Sequence, residues 1–246
     1  MSIELIAQKI SSTEINAVVF DLDGTLYPST AGLENQIKPQ MWKCLAKELD
    51  IDVDNAHSLM WECIQEYETE AVGLKEKYGI DLDAFYQKVF DGLDISVIEP
   101  RKGLAEEVSR LSAFIPLHLI TNSSRSHAHR VLKKLNVKEL FCSITSFEDT
   151  NYIRKPDQRA FKYLISKIGT PENKALMFDD SMPNLWACYN MGMHTVQVSN
   201  NLANPPMFME MHMRVKHEAP EFVVHATHNL TETIREVCNR IETLKQ

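Results

Sequence analysis

The chain has 246 residues, 44% hydrophobic and 24% charged, with a formal net charge of -8. That is ordinary globular composition, long enough for one domain or one domain with an insertion. The acidic balance argues against nucleic acid and anionic membrane as partners, and no apolar run approaches the ~20 residues that span a bilayer. Met1 to Ile15 is interrupted by Glu4, Gln8, Lys9 and Glu14, so it lacks a signal-peptide apolar block and reads as a short helix or arm. The cysteines Cys44, Cys63, Cys142, Cys188 and Cys238 are scattered and form no Cys-x-x-Cys pair. Reduced core thiols in a soluble cytoplasmic protein are therefore expected.

The first element is the apolar run Ala17-Val18-Val19-Phe20, which reads as a strand buried on both faces. It ends in Asp21-Leu22-Asp23-Gly24. Two acids spaced by two point to the same side of a continuing strand, and Gly24 permits a sharp turn. Like charges this close either raise one pKa or share a cation, and hard oxygen ligands suit Mg2+.

From Leu33 to about Phe90 the pattern is helical. Gln36 to Leu49 is amphipathic, with Ile37, Met41, Cys44, Leu45 and Leu49 at a 3.6-residue period. Ala56 to Ala71 and Asp83 to Asp91 are further helices, and Gly73, Gly79 and Gly92 punctuate the stretch. A helical insert placed here reads as a lid that excludes water and selects substrate.

An alternation of helix and strand follows: helix Gly103 to Ser112, strand Leu117 to Ile120, helix Arg125 to Leu135, strand Cys142 to Ser146, helix Gln158 to Ile168. Then come strand Ala175 to Phe178, helix Leu185 to Met191, strand Thr195 to Val198, strand Phe222-Val223-Val224 and helix Thr231 to Leu244. The fold class expected is α/β: a doubly wound, parallel, Rossmann-like sheet with an inserted small helical cap domain. The expected core is 1–28 with 101–246, and the expected cap is 29–100.

Polar groups recur at strand ends: Asp21 and Asp23, Thr121 and Asn122, Asp179 and Asp180. Parallel strands bring such ends to one edge, and Arg154-Lys155-Pro156-Asp157 lies in a loop before a helix. Together these are the parts phosphoryl transfer needs. A carboxylate can attack phosphorus, a second acid can protonate the leaving oxygen, and a hydroxyl and an ammonium can bind the oxygens where charge gathers.

These motifs, Asp21-Leu-Asp23-Gly-Thr-Leu-Tyr27, Thr121-Asn122, Lys155-Pro156 and Phe178-Asp179-Asp180-Ser181, resemble those of the haloacid-dehalogenase superfamily over residues 17 to 200. The resemblance implies Asp21 as nucleophile and Asp23 as general acid/base. It also implies Thr121, Asn122 and Lys155 on the phosphate, and Mg2+ held by Asp21, the backbone carbonyl of Asp23, Asp179 and Asp180. Further markers, Leu26-Tyr27-Pro28-Ser29, Ala31-Gly32-Leu33, Asp91-Gly92-Leu93 and Thr121 to Ala128, resemble the pyrimidine 5'-nucleotidase branch, which implies a nucleoside 5'-monophosphate substrate. The partner expected is thus a small phosphorylated metabolite.

Alternatives stay open at this point: a sugar-phosphate or phosphoglycolate phosphatase, a phosphomutase, or a phospho-signalling receiver. The long insert and the Asp-x-Asp spacing argue against a receiver, and Asp23 argues against a dehalogenase. Tyr67, Tyr78, Phe85 and Tyr86 are candidates to stack on a base, or else core. His127 and His129 do not share a helix face and read as residues at the surface or one contact removed from the site. The methionine-rich stretch Met207 to Met213 reads as an apolar loop or contact surface, with a soft-metal site as the alternative.

Overall fold

The computed structural model describes residues 14–67, 69–199, 225–227 and 229–245. In chain order these form β1 (Ala17–Phe20), α1 (Glu34–Leu49), α2 (Val53–Tyr67), α3 (Glu70–Tyr78), α4 (Leu82–Asp91), α5 (Leu104–Ser112) and β2 (Leu117–Ile120). Then follow α6 (Arg125–Lys134), β3 (Ser143–Thr145), α7 (Gln158–Ile168), β4 (Ala175–Asp179), α8 (Met182–Asn190), β5 (His194–Val198), β6 (His225–Thr227) and α9 (Leu230–Lys245). The strands make one sheet in the order β3-β2-β1-β4-β5-β6, every pair parallel. The chain builds outward from β1 to β3, then returns to lay β4 on the other side of β1. That reversal opens a crevice beyond the C-terminal ends of β1 and β4, the usual ligand position in such sheets.

β1, β2 and β4 are buried along their whole length, as unbroken apolar runs covered by helices on both faces should be. Alternate residues serve alternate faces. Val18 and Phe20 join Leu119 and Phe178 in the larger core, which α5, α6 and α9 cover. Val19 packs with Met177, Phe161 and Leu185 in the smaller one, covered by α7 and α8. The Phe20 and Phe178 rings stack at 4.8 Å, which ties β1 to β4 just below the crevice.

Helices α1 to α4 form the cap, inserted between β1 and β2. The single helix expected over Ala56 to Ala71 is two. α2 stops at Tyr67 and α3 starts at Glu70, where the Thr69 side chain accepts the Val72 N–H as a cap worth about 1 kcal/mol. Gly73 does not punctuate. It lies inside α3, where a Cβ would stand 2.5 Å from the Cβ of Cys63, so its bareness lets α2 and α3 touch. Cys63, Cys188 and Cys238 are buried, Cys44 is half-buried and Cys142 is exposed, all as free thiols. The strand expected at Phe222-Val223-Val224, the stretch Met207 to Met213 and most of the N-terminal arm lie outside the described residues. Among those residues no helix is long and apolar enough to cross a membrane.

Candidate active site

β1 delivers Asp21 to the crevice in register with β4, because the Asp21 N–H donates to the Phe178 carbonyl at 2.9 Å. Lys155 enters from the loop before α7. Its ammonium donates to Asp21 Oδ1 at 2.6 Å and to Asp179 Oδ2 at 2.9 Å, with all three residues buried. Asn122 holds that lysine in place: its Oδ1 accepts the Lys155 N–H at 2.8 Å and its Nδ2 donates to the Lys155 carbonyl at 3.0 Å. Asp179 is fixed in turn by the Ser181 N–H at 2.8 Å and by Asn184 Nδ2 at 3.1 and 3.0 Å from its two oxygens.

Asp21, Asp179 and Asp180 each bring a carboxylate oxygen to within 4.8 Å of the others. Gly24 makes room for this. With φ at +85° it turns the chain sharply, and a Cβ there would lie 2.3 Å from Asp180 Oδ2. Burial pushes the Asp21 carboxyl up, with Lys155 pulling against it and Asp179 adding to the rise. Burial, then repulsion from Asp179 and Asp21, pushes Asp180 up to about 9. Three crowded hard oxygens facing a single ammonium favour a divalent cation, and the cluster is compatible with Mg2+.

Asp23 occupies separate surroundings. Its carboxylate accepts from Tyr27 Oη at 2.5 Å, Ser123 Oγ at 2.6 Å, His127 Nε2 at 3.0 Å and Thr121 Oγ1 at 3.4 Å. Burial opposes ionisation, yet the His127 imidazole and the hydrogen bonds from His127, Ser123 and Tyr27 outweigh it and hold Asp23 down to about 2. The crevice therefore contains two differently tuned carboxylates: Asp21, raised and crowded, and Asp23, lowered and surrounded by donors.

Asp21, Asp179, Asp180 and Lys155 thus meet at one point, with Asp23 and Thr121 beside them and Asn122 behind the lysine. The aromatic candidates go elsewhere. Phe85 is buried in the cap and Tyr86 at the seam between cap and core, packing on Phe147 at 5.1 Å and on Tyr152 at 5.8 Å, while Tyr67 and Tyr78 are half-buried. Sequence reasoning gave no role to Tyr27, Ser123 or Asn184, and of the two places expected for His127 the structure has the one a contact removed from the site, fully buried against Asp23. A signal for His127 existed: with Ala128, Val131 and Leu132 it continues the apolar stripe of α6.

Comparison with known proteins agrees with this geometry. The model of the haloacid dehalogenase-like hydrolase family matches residues 15–192. Among curated relatives, phosphate metabolism protein 8 of Saccharomyces cerevisiae is 29% identical over 71% of this chain, which spans 58% of that protein's length. A phosphoglycolate phosphatase of Agrobacterium fabrum is 27% identical over 77% of this chain and 82% of its own. In fold, the chain is similar to the crystal structure of a HAD phosphatase from Thermococcus onnurineus, with a TM-score of 0.57 at 19% identity over 89% of this chain and 95% of that one.

Proposed function

This chain belongs to the haloacid dehalogenase-like hydrolases, and from that premise we propose that it hydrolyses a small phosphomonoester through Asp21. One observation carries the proposal: the Asp21, Asp179 and Asp180 oxygens converge within 4.8 Å beside the Lys155 ammonium. An Asp21 oxygen attacks phosphorus while the bond from phosphorus to the substrate oxygen breaks, leaving an aspartyl-phosphate. Asp23 gives a proton to the departing oxygen. It then takes one from a water that attacks the same phosphorus, releasing inorganic phosphate and restoring Asp21. The donors around Asp23 favour its ionised form, which suits the water step. For the first step it enters protonated, which an approaching phosphate dianion favours by raising its pKa. Lys155 and Thr121 bind the phosphate oxygens, with Asn122 steadying the lysine.

Asp21, Asp179, Asp180 and the backbone carbonyl of Asp23 would hold Mg2+, which supplies charge neutralisation between an anionic nucleophile and an anionic substrate. Residues 29–100 act as the cap over a core of 1–28 and 101–246. The stretches around Leu26-Tyr27-Pro28 and Thr121 to Ala128 support a pyrimidine nucleoside 5'-monophosphate as substrate through their resemblance to the pyrimidine 5'-nucleotidase branch. The Agrobacterium fabrum relative supports a second reading, a smaller phosphorylated acid such as phosphoglycolate.

Phosphate release measured over a panel of nucleotides and small phosphate esters separates the two substrates. In the same assay Asp21→Asn is expected to lower turnover by about 10⁴-fold or more, with no loss of melting temperature, because a crowded charge is removed. Full activity in that variant would reject the mechanism.

A further inference from the structure

We propose that His127 is a positioning residue for Asp23: its ring fixes the carboxylate toward the oxygen that leaves phosphorus. The proposal rests on the reading of Asp23 as the acid and base. The His127 side chain is fully buried, and its Nε2 lies 3.0 Å from Asp23 Oδ1. A carboxylate only accepts hydrogen bonds, so Nε2 carries the hydrogen. The other ring nitrogen, Nδ1, is buried with no hydrogen-bond partner. Leaving a buried acceptor without a donor works against folding. Packing gives no reason to bear that cost, because leucine would continue the stripe of Ala128, Val131 and Leu132 without a polar atom. The contact to Asp23 is what the imidazole supplies.

Two neighbours hold the ring where it is needed. The His127 N–H donates to the Ser124 side chain at 3.2 Å, which sets the first turn of α6. The ring lies 5.2 Å, centroid to centroid, from that of Phe90 at the end of α4 in the cap. Asp23 itself is braced on its other oxygen by Ser123 at 2.6 Å. His127 therefore restrains one carboxylate oxygen from the sheet side while the cap presses on its ring. The Tyr27 hydroxyl donates to that same oxygen at 2.5 Å, so removing His127 leaves Tyr27 alone to hold it.

A positioning role predicts a loss that depends on the leaving group. A proton donor matters for a poor leaving group such as phenolate and little for dinitrophenolate, which departs unaided. The measurement is kcat/KM, which reports phosphoryl transfer to Asp21, for phenyl phosphate and 2,4-dinitrophenyl phosphate. His127→Leu is expected to lose about 100-fold on phenyl phosphate and about threefold on dinitrophenyl phosphate. His127→Gln, whose amide reaches as far as Nε2, is expected to recover to within about tenfold of the parent on phenyl phosphate, and His127→Asn, which is too short, is not. The two amide variants carry the test if the leucine variant fails to fold. Equal losses on both esters, no loss on either, or equal behaviour of Gln and Asn would overturn the proposal. Failure of the parent protein to hydrolyse either ester would overturn the phosphatase reading first, before any variant is compared.

Discussion

At the floor of the crevice, Lys155 bonds Asp21 and Asp179 at 2.6 and 2.9 Å; Asp21 is fixed by its own backbone N–H on the Phe178 carbonyl, and Asp179 by the Ser181 N–H on its carboxylate. At the seam between cap and sheet the contacts are of another kind. Arg130 reaches the carbonyls of Phe90 and Leu93 at 3.0 and 3.1 Å, and Lys134 reaches that of Ser96 at 3.2 Å. Arg154 pairs with Glu70 at 2.5 Å, and Tyr152 with Asp83. The floor depends on which side chains are present, because each charge there is buried and needs its particular partner. Much of the seam uses backbone carbonyls, which any residue supplies, so the cap can change its sequence and still dock. The proposed chemistry thus rests on side chains at the sheet edge, while the cap is joined to it by contacts that depend less on side-chain identity.

The largest expected effect lies at the floor. Lys155→Met strands two buried carboxylates and should cost about 3–5 kcal/mol of stability, read from the urea midpoint in metal-free buffer, together with most of the activity. A stable, active Lys155→Met protein would break the contrast. Next comes the metal. Chelation by EDTA should lower kcat by about 100-fold or more, and Mg2+ should restore it and raise the melting temperature. Activity indifferent to EDTA would remove the ion from the site. Within the cap, Gly73→Ala forces a methyl against Cys63 and should cost about 1–3 kcal/mol in a thermal melt, with kcat left near its starting value. The smallest effect is expected at the seam. Glu70→Gln keeps the shape but removes the buried charge of a pair whose arginine stays partly exposed, and should cost about 1 kcal/mol and move KM more than kcat. A collapse of kcat in Glu70→Gln would show that floor and seam are not separable.

The same contrast explains what could be read from the sequence. Ala17 to Asp23 and Ala175 to Asp180 were legible because a parallel sheet must carry continuous apolar strands, and acids directly after them have one place to go. The break at Tyr67 was not, since a threonine cap inside an otherwise amphipathic run resembles any polar residue on a helix. Arg130 and Lys134 could not be singled out, because their acceptors are carbonyls that leave no mark in the residue pattern. Asn184 and Ser123 were hidden for a related reason: small polar residues near strand ends are common, and only the carboxylate each one faces sets it apart. His127 reads as lying at the surface or one contact from the site, and its position in an apolar stripe could have decided between them, since a buried titratable ring needs a partner.

β1 lies inside the sheet, with two strands beyond it on one side and three on the other. Strands at the rim of a sheet fray first, and interior ones open only when the whole domain does. The reactive aspartate is therefore suspended from one of the last parts of the molecule to let go. Breathing at β3 or β6 can proceed while the geometry of the chemistry is kept, so a partly loosened molecule retains its arrangement of carboxylates until global unfolding takes it.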